Sequence, residues 1–123
     1  MIILSNDSIE KLTTLLGLSA TGQEQDWEVE LADPTRIAEF LKVYRNSSLT
    51  QDDRKALMAL ILASADSHIQ TGLGVPVEWE QISALLIEER HIHEETIRYW
   101  AREGEDEPDA WFDVTPLIRR LVT

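Results

Sequence analysis

Hydrophobic positions recur along most of this chain at intervals of three and four residues, the period of a helix with one buried face. Ile9, Leu12, Leu15 and Leu16 form the first such stripe. Asn6 or Asp7 precedes it as a cap, and Gly17 follows as a stop. Asp33-Pro34 marks a second start, because proline at the first helical position loses no needed N–H. Ile37, Phe40, Leu41 and Tyr44 then share one face of a helix reaching about Arg45. Thr50 and Asp53 have the spacing of a capping box and open the longest helix, to about Gln70. Its residues 56–63 are Ala-Leu-Met-Ala-Leu-Ile-Leu-Ala, apolar on every side, which predicts a central helix covered all round.

The second half of the chain continues the pattern. A helix over about Glu78–Glu89 turns Trp79, Ile82, Leu85 and Leu86 inward, and another over about His93–Glu103 presents Ile97 and Trp100, with a break near residues 90–92. Thr115-Pro116 starts a last helix through Leu121. Two segments read differently. Trp27–Leu31 alternates apolar with acidic residues, and Trp111–Val114 is a second short extended candidate; each is followed by a cap residue and proline. Their pairing is expected to tie the C-terminal part beside residues 27–31. The fold expected is therefore mainly α: a single domain over residues 1–123, a bundle of about five to six helices with a minor two-stranded β element at 27–31 and 111–114.

Composition changes this picture by exclusion. The chain has no cysteine, which removes disulfide scaffolds, thiolate zinc sites and cysteine nucleophiles. The apolar run Met1–Leu4 is short for a secretory signal, and the run at 56–63 is far below the ~20 residues of a membrane span. A cytoplasmic protein is expected. Twenty-three acids against eleven bases give a net charge of −12, which disfavours nucleic acid and anionic membrane surfaces as partners. The charge is uneven: residues 61–118 hold thirteen acids and three bases.

No motif specifies a reaction. His91 and His93 sit two residues apart, on opposite sides of a helix, and two ligands with a neighbouring glutamate are too few for a closed metal site. Ser64, Asp66, Ser67 and His68 lie inside the long helix without a nucleophile elbow, and Gly72-Leu-Gly74 lacks the lysine and strand of a phosphate loop. The spacing from Ile82 to Trp100 would suit a helix-turn-helix, but a net charge of −7 over residues 78–107 opposes DNA binding. No catalytic residue, metal or cofactor is expected.

What remains is an acidic surface interleaved with tryptophan, which suits a cationic protein partner. The function expected is a small acidic protein-binding module, most concretely an inhibitor or immunity-type protein that occludes a basic surface such as that of a toxin. The candidate contact residues are Glu28, Glu30, Glu94, Glu95, Glu105, Asp106, Glu107 and Trp111. The alternatives are a structural subunit or adaptor, a homodimer built on an apolar helix face, and a small metalloenzyme around His91 and His93.

Overall fold

A computed structural model describes residues 2–123; Met1, the first residue of the apolar N-terminal run, lies outside the described residues. Seven α-helices and one 3-10 turn make up the regular structure among those residues. They are α1 (Asn6–Leu16), α2 (Trp27–Glu30), α3 (Ile37–Tyr44), α4 (Gln51–Gln70), α5 (Trp79–Glu88), α6 (Arg90–Trp100) and α7 (Thr115–Leu121), with the 3-10 turn at Pro108–Ala110. No helix among them is long and apolar enough to cross a membrane.

Helix α4 is the axis of the bundle. Residues 56–65 are buried without exception, as expected of a stretch that is apolar all round. Helices α1, α2, α3 and α6 pack against it, while α5 and α7 pack on α6. The capping box forms in full: Thr50 Oγ1 accepts from Asp53 N at 3.1 Å, and Asp53 Oδ2 accepts from Thr50 N at 2.9 Å. The same carboxylate receives Ser8 Oγ and Lys11 Nζ, both at 2.7 Å, and so fixes α1 against the start of α4. At the opposite end, Ser64 Oγ accepts from Asp33 N at 3.0 Å and Asp66 Oδ1 accepts from Val114 N at 2.8 Å.

Several boundaries move from their expected places. Ser5, rather than Asn6 or Asp7, caps α1, its side chain accepting from Ser8 N. Gly17 closes that helix in a left-handed conformation, φ 61°, and Leu18 N reaches back to Thr13 O at 2.9 Å. Asp33 caps only a turn, its Oδ1 taking Thr35 N at 2.9 Å, and α3 starts three residues later than Pro34 at Ile37. The expected break between the fifth and sixth helices is a single non-helical residue, Glu89, at φ −115° and ψ 35°.

The two-stranded element is absent among the described residues. Residues 27–30 are a turn of α-helix with Trp27 and Glu28 buried side by side, an arrangement that alternation cannot describe. Asp26 O accepts from Val29 N and Glu30 N, and Glu30 Oε2 returns to Asp26 N at 2.8 Å, so the segment satisfies its backbone locally. Trp27 Nε1 donates to Thr13 Oγ1 of α1 at 3.2 Å. Residues 111–114 lead directly into α7. Trp111 N donates to Pro108 O, and two further N–H groups are taken by side chains: Phe112 N by Thr115 Oγ1, and Val114 N by Asp66. Two isolated short strands would have been marginal in any case.

Burial alone would raise the Asp53 carboxyl, but the hydrogen bonds from Lys11, Thr50 N and Ser8 outweigh it and hold its pKa at about 2. Asp53→Ala is expected to lower unfolding free energy near neutral pH by about 2 kcal/mol, since it orphans three donors and a cap. Because the folded pKa lies below the unfolded one, Asp53's contribution is complete above about pH 4 and is lost as pH falls towards 2. Urea unfolding of both proteins across that range should show the gap between them closing.

Candidate functional site

The segment that follows α6 carries the densest run of carboxylates, Glu103 to Asp109, and is held more firmly than its sequence suggests. Helix α6 ends at Trp100. The chain then turns through Arg102 at φ 52° and Gly104 at φ 87°; the first is a conformation a side chain tolerates poorly, the second one that suits glycine. Helix ends leave carbonyls without partners. Here Arg119, projecting from α7, supplies them: its Nε donates to Ala101 O at 2.7 Å, and its Nη2 donates to Arg102 O at 2.8 Å and Glu105 O at 2.7 Å. Thr115 Oγ1 adds a buried bond to Trp100 O at 2.7 Å.

Trp111 completes the fixture. Its indole N–H donates to Glu105 O at 3.0 Å, and the Arg119 guanidinium lies 4.1 Å from its ring centroid. The Phe112 ring centroid lies 4.8 Å from that of Trp100 and 5.3 Å from that of Tyr99, and the Arg102 guanidinium sits over the Phe112 ring at 5.2 Å from its centroid. The loop backbone is thus anchored at both ends. Within it, the Glu105 carboxylate turns inward to accept Glu107 N at 3.0 Å. Asp106, Glu107 and Asp109 are exposed, and among the described residues none of the three makes a side-chain ion pair.

The other candidate residues are distributed elsewhere. Glu28 is only 4% exposed, and it is not a surface residue; burial, with the like charges of Asp26 and Glu30 nearby, raises its pKa. Glu30 is exposed but occupied with Asp26 N. Glu94 sits between Arg90 at 3.3 Å and Arg98 at 3.4 Å. Glu95 accepts from Lys55 Nζ and Ile3 N, both at 2.7 Å, bonds that outweigh its burial and lower its pKa. Of the expected set, the structure brings Glu105, Asp106, Glu107 and Trp111 together and leaves Glu28, Glu30, Glu94 and Glu95 in separate contacts. Asp109 and Arg119 belong with the first group. Arg119 had no signal beyond its charge, because its role depends on carbonyls that only the fold brings near.

A second polar cluster lies where α3, α4 and the α5–α6 break meet. Arg54 Nη1 donates to Glu89 Oε2 at 2.6 Å, and Tyr44 Oη donates to Glu89 Oε1 at 2.5 Å and lies 2.7 Å from His93 Nε2. The tyrosine proton is committed to the carboxylate, so Nε2 must carry the imidazole proton and donate to Oη. His93 is fully buried, and its Nδ1 has no partner. Burial is the main cause that lowers its pKa to about 4; Arg54 acts in the same direction and Glu89 opposes. Burial and Glu89 together raise the pKa of Tyr44. These groups face one another and clamp the junction at Glu89. His91 is exposed on the other side of α6, and no group of three metal-ligating residues occurs among the described residues.

Comparison with known proteins finds no matching family model, and neither a curated protein nor a solved structure matches significantly. The geometry of the pinned acidic loop and of the buried clamp therefore carries the functional argument by itself.

Arg119→Lys is expected to loosen the loop without changing its charge, because an ammonium cannot reproduce three directed bonds and a stacked plane. Amide exchange of residues 105–107 and of the Trp111 indole should quicken by at least about tenfold, equivalent to about 1.4 kcal/mol of lost protection. His93 yields a separate expectation. Its folded pKa lies below the ordinary value of 6.5, so the unfolded chain binds the proton first and stability falls as pH drops from about 6.5 to 4. His93→Phe should flatten that slope. Imidazole NMR of the wild type should show the Nε2–H form and a midpoint near pH 4; a midpoint near 6.5 would contradict the clamp.

Proposed function

We propose that this chain is a small acidic protein-binding module whose recognition element is the loop over residues 103–110, and whose partner presents a cationic surface. What supports the reading is that the loop is fixed through its backbone while its carboxylates are left free: Arg119 and Trp111 hold carbonyl oxygens, and Asp106, Glu107 and Asp109 project unpaired. A loop ordered before binding loses less entropy when it docks. Clustered negative charge steers association with a basic partner and accelerates encounter. The most concrete form is an inhibitor or immunity-type protein that lays this loop across a basic cleft, such as the nucleic-acid groove of a toxic nuclease. Trp111 then serves as the loop's support, with the carboxylates forming the charge-assisted bonds to Arg or Lys.

The test uses the intact chain and the variant Glu107→Lys/Asp109→Lys, whose changed residues make no internal side-chain contact that the fold needs. Affinity capture from lysate at low and at high salt is followed by association kinetics with the protein retained. The expected result is one basic protein held by the wild type at low salt, with association slowed about tenfold or more by the charge reversal and by high salt. Equal retention and equal rates for the two forms would refute the assignment.

A further inference from the structure

Of residues 87–93, where α5 gives way to α6, His93 is the only one buried, so this corner is fastened by its polar clamp rather than by apolar packing. The titratable and charged groups around the clamp are Tyr44 of α3, Arg54 and Lys55 of α4, Glu88 of α5, Glu89 of the break, and His91 of α6 itself. A second proton on His93 must enter at Nδ1, which is sealed from solvent and has no acceptor. Thr96 Oγ1, one turn further along, is buried without a partner too and so does not reach it. The imidazolium formed would stand near Arg54 and Lys55, and its one counter-charge, Glu89, is already bound by Arg54 and Tyr44. A buried cationic donor without an acceptor is costly, and water at Nδ1 removes that cost.

We propose that this corner is a proton-operated latch: the second proton on His93 lifts residues 87–93 away from α3 and α4 while the rest of the bundle stays folded. The extent of the movement follows from what holds the chain on either side. Ahead of the corner, Ile82 and Leu86 are buried and keep α5 seated in the core. Beyond it, Glu95 ties α6 to Lys55 Nζ and Ile3 N, bonds that lower its pKa and keep it ionised at pH 5. Thr96, Ile97 and Trp100 are buried in the turns that follow. Opening is therefore confined between Leu86 and Glu95, and no apolar side chain that was fully buried has to leave the core. None of the acidic loop takes part, so the latch and the loop's role stand or fall separately.

His93 titrates at about 4 in the closed corner and at its ordinary 6.5 once solvated, so opening should be about twentyfold more frequent at pH 5 than at pH 7. Amide exchange of the full chain tests this, corrected for the intrinsic effect of pH on exchange and run with and without low urea. The amides of Glu89, Ile92 and His93, hydrogen-bonded at the corner, should exchange about twentyfold faster at pH 5. Urea should change their rates little, because so small an opening exposes little surface. Residues 56–65 of α4 should exchange more slowly and quicken with urea, since only global unfolding frees them. His93→Gln keeps a donor where Nε2 lies but cannot titrate, and should remove most of the acceleration at the corner. Corner amides that exchange in step with residues 56–65 and share their urea response would show global unfolding alone and overturn the latch. An undiminished pH response in His93→Gln would overturn it as well. If circular dichroism of His93→Gln departs from the wild type, His93→Phe takes its place with the same expected outcome.

Discussion

A helix that is apolar on every side must be covered on every side, and almost everything in this fold follows from that requirement on α4. Hydrophobic cover is non-directional, so burial of residues 56–65 explains why helices gather there but not how each is registered. Register comes from polar side chains at the two ends of the apolar block. Asp53, Arg54 and Lys55, three successive residues, reach respectively to α1, to Glu89 at the α5–α6 break, and to Glu95 of α6. Ser64 and Asp66 hold the Asp33 turn and the entry to α7. The two sets lie about ten residues apart, roughly 15 Å of helix, so each covering segment is tied at a defined height.

What could be read from the sequence was what is local in the sequence. The capping box at Thr50 and Asp53 spans three residues, and the apolar block of α4 is continuous, so both were legible. So were the helical stripes and the existence of a break between the fifth and sixth helices, although it falls at Glu89 and residues 90–92, where it was expected, are helical. The β reading failed at Trp27–Leu31 because alternation over five residues is also compatible with one helical turn, and the choice was made by the Asp26–Glu30 backbone bonds and by Trp27 reaching Thr13. At Trp111–Val114 the deciding partners, Asp66 and Thr115, are side chains that take the place of a neighbouring strand. The clamp of Tyr44, Glu89 and His93 joins residues more than forty apart. One sign of it was present: His93 stands four residues before Ile97 and seven before Trp100, on the inward face of α6.

Net charge was the feature most easily misjudged. A value of −12 suggests a uniformly acidic surface, yet many of the acids are in internal use. Asp53, Glu89 and Glu95 pair with bases across elements, Asp66 and Glu105 accept backbone N–H groups, and Glu28 is buried. Bulk charge therefore overstates the surface a partner can meet. Resolving which acids are committed to the fold leaves the loop after α6 as the densest group of exposed, unpaired carboxylates, with Asp7, Glu10, Asp52, Glu80, Glu88 and Asp113 exposed elsewhere.

The way Arg119 holds that loop bears on what the loop can do. An arginine could order an acidic loop by pairing with its carboxylates, but the same contact would neutralise them. Arg119 instead spends its donors on the carbonyls of Ala101, Arg102 and Glu105 and its flat face on Trp111. Carbonyl oxygens carry no net charge, so the backbone is fixed while the carboxylates of Asp106, Glu107 and Asp109 stay unpaired. Order and charge usually oppose each other, because like charges brought close repel and loosen the segment that bears them. Anchoring through the main chain separates the two, and holds the loop backbone while leaving Asp106, Glu107 and Asp109 without ion-pair partners.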